Sequence, residues 1–213
     1  MRPSIEELHN DVNFSLIQSF HVDETMKFLL GQLDKKPVTK KTWKQKIILG
    51  LIMIGLGAAG YQIGKAAAGG NMQYAQTGYQ AGFGFLAMYL IALPIHEAIH
   101  ALVFKYFKAP KVGFGISLKA GMVYAYAQEF PISMPELIIL AVMPFAIITP
   151  LLCIGWLILP QYMAFFITLL LFHSLGCIGD FALIRYALKN KHRQIFTYDD
   201  LLKEKKTYFF EKK

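Results

Sequence analysis

Residues 93–107 read LPIHEAIHALVFKYF. Two histidines, His96 and His100, stand four apart with Glu97 directly after the first, in a segment otherwise apolar enough to sit in lipid. On a helix, residues four apart share a face, so both imidazoles can hold one metal ion. Glu97 lies about 100° around from His96, within reach of a water at that ion. The spacing is H-E-x-x-H, in which zinc brings the pKa of its water toward about 7 and the glutamate takes the proton. Ionisable groups inside a span cost roughly 2.5–3.5 kcal/mol each on insertion scales and usually face a functional interior. The plainer alternative is an interfacial cluster that snorkels to water beside Lys105.

The rest of the chain supports a membrane setting. Of 213 residues, 55% are hydrophobic, above the roughly 45–50% of a soluble domain, and the excess falls in long runs. Net charge is +8. Because the lysines and arginines border apolar runs, they are read as juxtamembrane charges that touch anionic headgroups, with no nucleic-acid partner. The two cysteines, Cys153 and Cys177, lie in apolar segments and make no disulfide framework. The opening MRPSIEELHNDVNF lacks the apolar core of a signal peptide, so the first span is expected to direct insertion.

The expected fold is a mainly α membrane protein of four transmembrane helices, with a short β-hairpin between the second and third. The spans are 47–64, 79–107 with Pro94 inside, 136–159 with Pro144 and Pro150, and 162–184. In 111–127, Val112, Phe114, Ile116 and Leu118 alternate with small or polar residues, Lys119–Gly121 turns, and Met122, Tyr124 and Tyr126 alternate again, which is the period of strands. Three regions follow: a cytosolic N-terminal region and basic linker (1–46), a membrane domain (47–188) and a basic cytosolic tail (189–213). IEELHNDVNFSLIQSF and ETMKFLLGQL read as short amphipathic helices. Lys and Arg number eight before the first span, one in the first loop, four in 105–135, none in the third loop and nine from Arg185 onward. That alternation places both termini and the hairpin on the cytosolic side of a multi-pass cell-membrane protein.

A zinc site needs a third protein ligand. The last span, LLLFHSLGCIGDFALIRYALK, offers His173, Cys177 and Asp180. His100 lies five residues before Lys105, and Asp180 five before Arg185, so both sit at similar depth near the inner ends of their spans. Asp180 is therefore the first choice. His173 is about 10 Å farther along the axis, and Cys177 in apolar surroundings reads as packing. Both stay open as alternatives. His9 and His21 read as solvated, and Gly82 and Gly84 as close-packing positions.

The HEAIH span, the hairpin, a further span and the late GCIGD together resemble the core of site-2-protease-type intramembrane metalloproteases. They are still more similar to a bacterial family of multi-pass membrane proteins described as zincin peptidases. The resemblance covers roughly 80–190. It implies His96, His100 and Asp180 as metal ligands, Zn2+ as the metal, Glu97 as catalytic base, and the hairpin as an edge that holds a substrate as an added strand. It implies hydrolysis of peptide bonds in membrane proteins or peptides near the cytosolic leaflet. The chain departs from site-2 proteases around Asp180, where Gly179 precedes and Phe181 follows, and it carries no PDZ-like insertion. The other class of function these residues allow is a non-catalytic metal-binding scaffold or a transporter-associated protein.

Overall fold

The computed structural model describes residues 2–10, 12–33, 69, 72–119 and 121–213. In chain order its elements are α1 (Ile5–Leu8), β1 (Phe14–His21), α2 (Thr25–Leu33), α3 (Met72–Ala87), α4 (Leu93–Tyr106), β2 (Val112–Ser117), β3 (Met122–Ala127), β4 (Ile132–Ser133), α5 (Met134–Ile158), α6 (Met163–Gly176), α7 (Ile178–Lys189), β5 (Ile195–Asp200) and β6 (Lys206–Lys212). They divide into two units. Among the described residues the first unit comprises 2–33, 94–148 and 176–213, and the second 69, 72–93 and 149–175.

The expectation of four spans is corrected. Among the described residues, two helical stretches are long and apolar enough to cross a membrane, Ala75–Tyr106 and Met134–Ile158. A third exists if Pro160–Gly176 and Ile178–Lys189 count as one span, but that pair is bent by 43°. The break has a local cause. Gly176 and Gly179 flank Cys177 and Ile178, and glycine is roughly 1 kcal/mol worse than alanine inside a helix. The expected first span, 47–64, lies outside the described residues. The chain is a multi-pass, mainly α membrane protein.

The hairpin forms as β2 and β3, paired antiparallel from Val112↔Ala127 to Ser117↔Met122, with Gly121 in the left-handed region (φ 65°) at the turn. Ring atoms of Tyr126 and Tyr124 occupy the space that a Cβ would need at Gly113 and Gly115, within 2.8 and 2.5 Å. The two glycines thus seat two cross-strand tyrosines.

The chain ends differ from expectation. Of the two segments read as amphipathic helices, ETMKFLLGQL is helix α2, but IEELHNDVNFSLIQSF is helical only over α1 and then becomes strand β1, and the basic tail supplies β5 and β6. Together with β4 these strands make an antiparallel sheet in the order β1-β6-β5-β4. Leu8, Phe14, Tyr198, Tyr208 and Phe210 pack on one of its faces. His9 lies exposed at the rim of this cluster, as a solvated histidine would, with its ring 5.0 Å from that of Phe210 and its Nε2 2.7 Å from the Tyr198 hydroxyl. Elsewhere Phe209 of β6, Phe28 of α2 and Tyr186 of α7 touch ring to ring, at 5.1–5.5 Å. The sheet thereby anchors α7, the helix that carries Asp180.

Asp199 on β5 makes this sheet sensitive to pH. Loss of hydration pushes its carboxyl up to about 6, against the Thr207 hydroxyl that donates to Oδ1 at 2.6 Å and favours the charged form. The folded chain therefore keeps the proton to higher pH than the unfolded one, and stability falls as pH rises from about 4 to 6. Asp199→Asn is expected to melt above the wild type at pH 8, by a margin worth up to about 3 kcal/mol. That lead should shrink to nothing near pH 4 in thermal melts of detergent-solubilised protein. Parallel melting curves across this range would remove the assignment.

In the second unit, Ala87, Met88, Ala92 and Leu169 form the core, with Phe165 and Phe172 against it. A Cβ at Gly84 would stand 2.6 Å from the Phe165 carbonyl oxygen, so α3 approaches the backbone of α6 closely there; nothing lies within 4 Å of the same point at Gly82. A π-helical turn, Met88–Ala92, joins α3 to α4, and the Leu93 N–H donates to Met88 O. Pro94 explains it. Proline lacks an N–H and crowds the carbonyl four residues back, and one widened turn relieves both while the helix continues.

Candidate metal centre

Helix α4 buries the face formed by His96, Glu97, Ile99, His100, Ala101, Val103 and Phe104. Its other side leaves Ile95, Leu102 and Tyr106 exposed, as suits a helix against lipid. Arg2 ties the end of α4 to the start of α5. It donates to the Phe107 carbonyl (3.0 Å) and pairs with Glu136 (2.5 Å). Asp180 is the third residue of α7, in the first turn, where the free N–H groups of a helix favour a negative charge.

These elements bring His96, His100 and Asp180 together, at 6%, 9% and 8% exposure. His96 Nε2 lies 3.1 Å from His100 Nε2 and 3.1 Å from Asp180 Oδ2, and His100 Nε2 lies 3.4 Å from Asp180 Oδ1. One ligand atom from each residue falls within 4.8 Å of the others. Atoms bound tetrahedrally at 2.0–2.1 Å from zinc stand roughly 3.3 Å apart; the two histidine nitrogens are spaced in that way, and each lies at a similar distance from one of the two Asp180 oxygens.

Proton arithmetic also favours a cation. His100 Nδ1 is 3.1 Å from the Leu140 carbonyl of α5, which can only accept. The proton of a neutral His100 is thus on Nδ1, and its Nε2 presents a lone pair. Asp180 Oδ2 is enclosed and accepts no hydrogen bond of acceptable geometry, although His96 Nε2 is 3.1 Å away. The lone pair of His100 Nε2, the His96 Nε2 beside it and an under-satisfied carboxylate oxygen converge in a buried place, which suits a divalent ion. Two imidazoles and a carboxylate are a donor set that zinc accepts, as do several other divalent metals.

Glu97, 6% exposed, is not one of the three. Its Oε2 accepts the N–H of Ala125 on β3 at 2.7 Å, so the hairpin edge nearest the site is held by the glutamate's carboxylate. Cys177 is fully buried at the N-cap of α7, with Sγ 4.0 Å from His96 Nδ1. His173 belongs to the second unit, where its Nδ1 lies 3.5 Å from Thr149 Oγ1. His21 caps the turn after β1, accepting the Asp23 N–H at Nδ1. Two partners of the site escape any reading of side chains, the Leu140 carbonyl and the Ala125 amide, because every residue has such groups and only the fold selects these two.

No curated protein and no solved structure matches the chain. One family does, over residues 89–195, from the π-helical turn before HEAIH through Asp180 to the first residue of β5. The chain belongs to that family, described as "Putative zincin peptidase".

Proposed function

We propose that the chain is an intramembrane zinc metalloprotease, in which His96, His100 and Asp180 hold the metal and Glu97 is the catalytic base. The observation that carries this reading is the convergence of those three ligand atoms beside Glu97 in a buried site. When bound, the ion supplies Lewis acidity toward water and toward a peptide carbonyl. Glu97 takes the proton of the attacking water and passes it to the leaving amine. The Ala125 N–H fixes one oxygen of its carboxylate and leaves the other for that water. A substrate helix must unwind to present its backbone, and β3 offers the neighbouring edge on which an extended segment can lie. By the charge pattern, the site opens toward the cytosolic leaflet and both termini are cytosolic.

The test is purified protein in detergent with a quenched-fluorescent peptide derived from a membrane span. Cleavage is expected, abolished by a chelator and restored by zinc. Metal binding without cleavage of any such peptide would favour a non-catalytic metal-binding scaffold.

A further inference from the structure

A metal-bound histidine commonly donates its second ring N–H to an outer acceptor, which fixes both the tautomer and the angle of the ring. His100 has one in the Leu140 carbonyl. For His96 the thiol of Cys177 lies at the corresponding edge, 4.0 Å from Nδ1. We propose that Cys177 is the positioning residue for His96: its sulfur accepts the Nδ1–H and turns Nε2 toward His100 and Asp180. The inference rests on the proposed metal site and adds a partner to it.

The geometry separates this role from ligation. The two nitrogens of an imidazole point out of different edges of the ring, and one ion cannot bind both. His96 Nε2 lies 3.1 Å from both His100 and Asp180, whereas the sulfur lies at Nδ1. Cys177 therefore stands across the ring from the ligand set. It is also well fixed. Its side chain is fully buried, and its carbonyl accepts the Phe181 N–H at 3.0 Å in the first turn of α7. Asp180 sits in that same turn, so one short segment, 177–180, supplies both a ligand and the support for another.

The experiment uses the full chain in detergent, loaded with Co2+ in place of zinc. The wild type, Cys177→Ala and Cys177→Ser are compared by absorption spectrum and by the rate of cobalt loss to a chelator. The expected wild-type spectrum has visible bands and no near-ultraviolet sulfur-to-cobalt charge-transfer band. Cobalt should leave Cys177→Ala about 10–100-fold faster, with Cys177→Ser in between, since a hydroxyl accepts the same N–H with shorter reach. Equal rates in all three proteins would overturn the proposal. So would a charge-transfer band that disappears in Cys177→Ser, which would make the thiol a ligand. If the alanine variant does not fold, the serine variant alone decides by the same two readings. A wild type that takes up no cobalt would overturn the metal site itself and this inference with it.

Discussion

Glu97→Gln is expected to lower kcat by on the order of 10²–10⁴-fold, the range for losing a general base, and to leave the metal content unchanged. Glutamine keeps the length of the side chain and an oxygen that can accept the Ala125 N–H, which Glu97 Oε2 receives at 2.7 Å. The hairpin should therefore stay docked. What the amide cannot do is take a proton from water. Initial rates of peptide cleavage, with zinc content measured on the same preparation, check both halves. An unchanged rate would remove Glu97 from the chemistry. Loss of metal together with activity would make it part of the structure of the site instead.

Asp180→Ala is expected to abolish metal retention through purification, a larger effect than the roughly 10–100-fold that losing an outer partner costs. Asp180 is the one carboxylate of the trio, and it faces both imidazoles at 3.1 and 3.4 Å. Without it, two neutral imidazoles are left to hold a dication in a poorly solvated place. The fold should survive. Helix α7 is anchored by Tyr186 against Phe28 and Phe209, and Ala182 and Ala187 are fully buried on it. The variant's melting curve in chelator should match that of the wild type in chelator. If Asp180→Ala instead kept its zinc, the third ligand would lie elsewhere.

What could be read from the sequence was whatever leaves a periodic or spaced signature. The i, i+4 histidines fall on one buried face of α4, and the alternation in 112–126 is a hairpin. Equal distances from His100 to Lys105 and from Asp180 to Arg185 matched depth along two helices, and the two side chains meet. Strand β1 was ambiguous for a physical reason. Phe14, Ile17 and Phe20 recur every three residues, as on a helix, and only pairing with β6 settles the strand. The tail misled through its lysines. Tyr208, Phe209 and Phe210 form a continuous apolar run, 7%, 1% and 3% exposed, the pattern of a strand covered on both faces, but flanking Lys205, Lys206, Lys212 and Lys213 gave it the look of a solvated extension. His9 is exposed, as its polar setting suggests, but its aromatic neighbours arrive from about 190 positions downstream, beyond any local pattern.

The most direct test of the metal centre is the zinc content of protein purified without chelators and given zinc, wild type beside His96→Ala. About one zinc per chain in the wild type and next to none in the variant is the predicted result, since a closed site of this kind needs all three protein ligands. No zinc in the wild type, or equal zinc in both proteins, would contradict it.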